Sequence, residues 1–456
     1  MMTIHSDSTN PNSARLELSA RLDRDCVNIG GGSVRYLVIN AKAPVDQAPA
    51  QTARQPLNLG LVIDASGSMS GPPLEAAKSA AMGVIESLRP SDHLSVVSFG
   101  TQALMHLDGV RMDELGQQAA ARAIRPLSSR DSTDLCAGWL MGCECVARRQ
   151  AAAQRTARNH VILLSDGHAN QGECNPEVLK RHAHELRQRG VLTSTVGIGT
   201  GYSPVQLQAI AEAGGGRMHD AERPEEIIEI VLAELSETLC TTVESLELDL
   251  QLPPGVKAEV YGTAHSTRSD DRFNVLLGSM TSGAKRNLVI KLTFQAGFQD
   301  QRMPLKVAAR WRSPGGTAVL SCSPLDLEFR YAPAAACVSQ SRDQETARTV
   351  AEQWHAHIMH RTMTLNQDGQ FEAAEEFAQR ESRYFEKYCK GLPGMEQFTR
   401  ELDRFAPSAG VLYQVSDAKE VLLRSYKSSR GEEDRRSVKR GGYEAFMPPQ
   451  PPQTTP

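Results

Sequence analysis

Three polar clusters, each set directly behind or beside an apolar run, hold the residues of this 456-residue chain that could do chemistry. In VIDASGSMS (Val62–Ser70) the oxygens of Asp64, Ser66, Ser68 and Ser70 follow Leu59, Leu61, Val62 and Ile63. In VILLSDGHAN, Asp166 follows a second such run. Between the two, SSRDSTDLCAGW offers Thr133 in a polar loop that opens a helix. The first cluster alone fits four uses: holding a metal, activating a nucleophile, cradling a phosphate, or capping the next helix. The collected set is Asp64, Ser66, Ser68, Thr133 and Asp166, all hard oxygen donors with no imidazole or thiolate. Such a set disfavours zinc or copper and favours Mg²⁺, with Mn²⁺ or Ca²⁺ as alternatives. Spacing by two lets Asp64, Ser66 and Ser68 turn inward from one tight loop, and Gly67 permits the sharp turn. Neutral hydroxyls make up most of that shell. A bound ion would keep much of its charge and attract an outside carboxylate.

The other uses find less support. A serine hydrolase would use Ser66 or Ser68 with a histidine such as His168, but the nucleophile elbow G-x-S-x-G is absent. GIGTG near Gly197 lacks dinucleotide spacing, and no GxxxxGK[ST] occurs. Helix capping accounts for Ser68 or Ser70 alone, not for Asp64, Thr133 and Asp166 together. His357 and His360, in WHAHIMH with His355, share a helix face without a supporting carboxylate or cysteine motif. Cys136, Cys143 and Cys145 are not matched by a second pair at zinc-finger spacing. The nine cysteines therefore read as reduced thiols of a cytoplasmic protein.

Elements must position these clusters. From 57 to 238 short apolar runs (LGLVID, HLSVVSF, ALMHL, HVILLSD, VLTSTVGIG and a weaker one near GRMHD) alternate with amphipathic helical segments. That pattern predicts an α/β fold, a doubly wound, mostly parallel sheet covered on both faces. If the strands before Asp64 and Asp166 flank the switch point of strand order, both carboxylates enter one crevice. Residues 15–45 and 239–332 alternate with a period of two. They predict one antiparallel β-sandwich, interrupted by the α/β domain, with a Pro/Ala/Gln linker from Pro44 to Pro56. Residues 338–405 read as a helical segment, an αα-hairpin broken at NQDGQ, similar to a single tetratricopeptide-type repeat. Residues 1–14 and 416–456 read as a disordered lead and tail, the tail carrying the basic RRSVKR.

Composition is that of an ordinary soluble globular protein. Apolar residues make up 40%, charged residues 23%, and the net charge is −4 with pI 6.3. Nothing in that balance draws the chain to nucleic acid or an anionic membrane. No run is long enough for a membrane span, and the start lacks the apolar core of a secretory signal.

DASGS, the threonine loop and LLSDG together resemble the metal-ion-dependent adhesion site of von Willebrand factor type A domains. LRPSDHLSVVSFG and TSTVGIGTGYSPVQLQAIAEAGGGRMHD resemble further segments of that family. The resemblance implies a Rossmann-like fold over 57–238 and a metal held by Asp64, Ser66, Ser68, Thr133 and Asp166. Hydroxyls of the first two loops would coordinate directly, and the aspartates often through water. A protein partner would supply an Asp or Glu. DSTDL departs from the Gly-Gly-Thr of many relatives, which makes the threonine loop less flexible. The layout is similar to bacterial proteins in which such a domain interrupts a β-sandwich. It implies a non-enzymatic adaptor, in one form working with a MoxR-type AAA+ ATPase. A structural subunit that oligomerises, with the metal loop only stabilising, is the alternative.

Overall fold

The computed structural model describes residues 2–5, 16–45, 55–130, 132–152, 157–167, 171–199, 204–314, 316, 318–413 and 415–430. Four strands come first: β1 (Met2–His5), β2 (Glu17–Leu22), β3 (Cys26–Asn28) and β4 (Val34–Lys42). An alternating segment follows, with β5 (Leu57–Asp64), α1 (Pro72–Ser87), β6 (His93–Phe99), β7 (Ala103–Arg111), α2 (Glu114–Ile124) and α3 (Leu135–Ala152). It continues through β8 (Arg158–Ser165), α4 (Pro176–Gln188), β9 (Leu192–Ile198), α5 (Val205–Ala213), β10 (Gly215–Ala221) and α6 (Pro224–Leu239). Strands then return as β11 (Thr241–Gln251), β12 (Lys257–Tyr261), β13 (Ser266–Ser269) and β14 (Arg272–Thr281). After them come β15 (Lys285–Thr293), β16 (Arg302–Arg312), β17 (Val319–Ser321) and β18 (Leu325–Ala332). Helices close the chain: α7 (Ala334–Ser339), α8 (Gln344–Gln367), α9 (Phe371–Cys389), α10 (Glu396–Phe405) and α11 (Val415–Arg430).

The alternating segment forms a doubly wound sheet of order β10-β9-β8-β5-β6-β7. Every neighbouring pair is parallel except β6–β7, where a short turn after Phe99 sends the chain straight back along the edge. β5 and β8 are buried at every position, as central strands covered on both faces must be. On one face α1 lays Leu74, Ala77, Ala81, Val84 and Ile85 against the sheet at helical spacing. On the other, α3 comes unusually close. A Cβ added at Gly142 would lie 2.3 Å from Val62 Cγ2, and one at Gly138 would lie 2.4 Å from the Phe99 ring. Only glycine allows that approach, which fixes the start of α3 over the ends of β5 and β6.

Strands from both ends of the chain build two further sheets, of order β1-β2-β4-β15-β12 and β13-β14-β11-β16-β18-β3. β4 and β15 pair antiparallel from Val34↔Thr293 to Lys42↔Lys285, so the chain leaves a sheet, makes the α/β domain and returns beside its own strand. The two sheets share one core, with Leu18, Leu37 and Ile39 meeting Leu248, Val275, Leu305 and Phe329. The other face of β4 is also buried, because Tyr36 and Val38 pack with Trp354 and Ile358 of α8.

Two expectations about the termini need correction. Met2–His5, read as part of a disordered lead, pairs antiparallel with β2, since a free sheet edge offers main-chain partners to any extended segment. Residues 416–430, read as the start of a disordered tail, belong to α11. There Ala418, Leu422 and Tyr426, four apart, form a buried row. The helical segment is thus more than a hairpin, although α8 and α9 do turn at Gly369, whose φ is +75°. The linker from 46 to 54, the rest of the lead and RRSVKR lie outside the described residues.

Candidate metal centre

Strand order reverses between β5 and β8, which pair side by side with Ile63 opposite Leu164. Asp64 ends the first and Asp166 follows the second. Both carboxylates therefore reach the crevice where doubly wound sheets take ligands. The register sets Ser165 beside Asp64, and the Ser165 hydroxyl donates to Asp64 Oδ2 at 2.6 Å. Ser165 Oγ in turn accepts the Gly167 N–H at 3.0 Å, which fixes the loop carrying Asp166. Ser66 N–H donates to Asp64 Oδ1 at 2.9 Å and curls the first loop. The hydroxyls of Ser66 and Ser68 then meet at 3.1 Å.

Backbone bonds join the other loops to this one. Arg130 N–H donates to Ala65 O at 2.6 Å, and Asp134 N–H to Gly100 O at 2.9 Å. Gln171 N–H donates to Thr133 O at 3.2 Å, linking the threonine loop to the segment after Asp166. Asp134 Oδ1 also accepts Ala137 N–H at 2.9 Å and starts α3 directly behind Thr133. Asp64, Ser66, Thr133 and Asp166 are all buried, at 0%, 1%, 2% and 7% exposure, while Ser68 faces outward. The structure thus gathers the three expected loops at one sheet edge, open on the Ser68 side.

Electrostatics sharpen the point. Burial pushes the Asp64 carboxyl up to about 6. The Ser165 hydrogen bond works against that rise, and the neighbouring Asp166 charge adds to it. Two buried carboxylates with hydroxyl oxygens beside them make a set of hard oxygen donors, which suits a hard divalent cation. Residues 64, 66, 68, 133 and 166 therefore fit such an ion.

The competing uses can be weighed by contacts. Ser66 makes no side-chain capping bond at its short helical turn, and the residue capping α1 is Gly71. Ser66 and Ser68 pair with each other, and His168 lies outside the described residues. The α8 histidines diverge. His355 meets Glu401 at 3.0 Å, His357 stacks on Tyr261, and His360 meets Gln208 at 3.0 Å. Among the described residues no three His, Cys, Asp or Glu side chains form a metal-holding group. Burial pushes the Cys136 and Cys143 thiols up to about 11 and 12, so both stay protonated within the α3 contact. Ser165, Arg130 and Asp134 escaped the sequence reading. Only Ser165 left a signal, as the hydroxyl immediately before Asp166.

A doubly wound sheet with three polar loops converging at its switch point defines the class, and the comparisons name it. Residues 58–232 match the family model of the von Willebrand factor type A domain. An uncharacterized protein of Synechocystis sp. is 27% identical over 352 residues, 74% of this chain and 81% of its own. Inter-alpha-trypsin inhibitor heavy chain H3 of Mesocricetus auratus is 26% identical over 175 residues, 37% of this chain and only 20% of its own length. The solved structure of a von Willebrand factor type A protein from Catenulispora acidiphila superposes with a TM-score of 0.65 at 16% identity. It covers 92% of this chain and 98% of that one. That likeness is one of fold, and it extends past the α/β domain into the flanking sheets and helices. Among the described residues no helix is long and apolar enough to cross a membrane.

Proposed function

We propose that the chain is a metal-dependent protein-binding module. Asp64, Ser66, Ser68, Thr133 and Asp166 hold a divalent cation, Mg²⁺ in the first place and Mn²⁺ or Ca²⁺ as alternatives. When bound, that cation supplies a position for an Asp or Glu carboxylate of a protein partner. The observation that carries the reading is the Asp64 carboxylate, wholly buried beside Asp166 at the open end of the sheet. Asp64 orients the site, since its two oxygens hold Ser66 and Ser165 in place. Ser66 and Ser68 offer neutral oxygens, and exposed Ser68 stands where a partner would arrive. Thr133 and Asp166 close the set from loops held at the same sheet edge.

On this reading the protein is not an enzyme. It acts as an adaptor, with an AAA+ ATPase as one candidate partner, and the sheets and helices are the platform behind the binding face. A cytoplasmic location fits the nine cysteines, which all stand as free thiols. The test is a pulldown from a bacterial lysate with Mg²⁺ or with EDTA, using wild type, Asp64→Ala and Thr133→Ala. Partner capture should require Mg²⁺ and vanish in both variants while circular dichroism shows an intact fold. Capture indifferent to EDTA and to both substitutions would refute the proposal.

A further inference from the structure

A second site emerges at the opposite edge of the parallel sheet, where α4 ends and β9 begins. The buried row of α4 runs Leu179, Ala183, Arg187, four residues apart, so its third member is a guanidinium on a core-facing stripe. Arg187 is only 7% exposed. Its stem lies over Gly215, where an added Cβ would come within 2.9 Å of Arg187 Cδ. Its Nε and Nη1 are buried without a hydrogen-bond partner. Leaving a guanidinium buried with unused donors is costly, and such donors ordinarily have an acceptor.

Arg187 lines a cleft of about 350 Å³ between α4 and the β13-β14-β11-β16-β18-β3 sheet. The far wall carries Glu247 of β11 with Arg310 and Arg312 of β16. The rings of His184 and His265, 5.9 Å apart, form another side. Arg310 lies 3.7 Å from Glu247, so that carboxylate is already engaged by a second arginine. Asp249 also lies 3.9 Å from Arg310 but is itself paired with Arg272 at 2.7 Å, so three guanidiniums against the one lining carboxylate leave two positive charges facing the cleft. Burial holds both histidines below their ordinary range, which makes them neutral near pH 7. The volume suits a small molecule of up to mononucleotide size.

We propose that this cleft binds a small phosphate-bearing anion, with an oxyanion on Arg187 and the remaining charge balanced by Arg310 and Arg312. A dianion matches the excess of two charges, and a tetrahedral group with three oxygens can be met from two walls at once. A single carboxylate would leave one positive charge over. Because α4 belongs to the α/β domain and the far wall to the sheet, a bound anion would also brace the junction between them. The site is separate from the candidate metal centre, which lies at the other end of the strands.

The test is calorimetric titration of the full chain in EDTA, so that no metal-bound anion contributes. The probes are inorganic phosphate, AMP and citrate, with sodium chloride matching ionic strength. Saturable binding of one phosphate or one AMP per chain is expected, and tighter binding of AMP would identify an organic phosphate as the ligand. Arg187→Gln keeps much of the buried stem and should weaken binding about tenfold or more. Arg310→Ser changes a half-exposed side chain and should weaken it about threefold. Should Arg187→Gln fail to fold, Arg310→Ser decides alone. The proposal is overturned by no saturable binding of either phosphate probe, by unchanged binding in the folded variants, or by citrate binding as tightly as phosphate.

Discussion

Asp64 concentrates the physical cost of the candidate metal centre in one carboxyl. Burial raises it from 3.8 to about 6, so between those pH values the native metal-free chain holds a proton there that the unfolded chain has released. The sign follows from linkage. Stability from this group is full below about pH 4 and is lost as pH rises through 6, at a cost of about 3 kcal/mol. In EDTA at pH 7, Asp64→Asn should therefore melt above wild type, and the gap should close toward pH 4. A wild-type advantage in EDTA at pH 7 would contradict the assignment of burial as the dominant cause. The carboxylates and hydroxyls of this site were readable from their places behind apolar runs. Ser165 was not, because its role depends on β5 and β8 lying side by side with Ile63 opposite Leu164, and strand order is not written in local sequence.

Elements hold the loops in register, and α3 shows how narrow the tolerance is. Gly142→Ala would press a methyl to 2.3 Å from Val62 and lift the helix whose first turn follows Thr133. Urea unfolding should show a loss of about 1–3 kcal/mol, and metal affinity should fall with it. Unchanged values of both would mean that α3 does not position the threonine loop. The central strands were legible because continuous apolar runs admit few other readings. The antiparallel turn of β7 was not, since its sequence suits an edge in either direction. α11 escaped because Ala418, Leu422 and Tyr426 sit in a polar stretch and become a buried row only against distant parts of the chain. Met363 meets Ala418 and Leu422, and Met218 donates its N–H to the Tyr426 hydroxyl.

At the scale of the molecule, the α/β domain is framed by sheets made from both ends of the chain. Arg158 of β8 donates to Thr238 O and Thr241 O and lies 3.5 Å from Glu244, joining the domain to β11. Trp354 of α8 stacks on Tyr261 and meets Tyr36 at 5.5 Å, joining the helices to the sheet. Trp354→Ala should cost about 3–5 kcal/mol in denaturant unfolding and leave metal affinity unaltered, since Trp354 packs on Tyr36, Tyr261 and Phe385, all outside the three metal loops. Loss of metal binding in a folded Trp354→Ala chain would mean that the helices act on the site. The return to a period-two pattern after residue 239 made the strands beyond the α/β domain readable, whereas the depth of the helical packing depended on aromatic contacts between remote segments.

The central claim is that Asp64, Ser66, Ser68, Thr133 and Asp166 form one divalent-cation site, and calorimetry of the metal-free full chain tests it most directly. Titration with Mg²⁺ and with Mn²⁺ should reveal one ion per chain, and Asp64→Ala and Thr133→Ala should each abolish that binding in folded protein. Wild type that takes up neither ion, or variants that bind as wild type does, would contradict it.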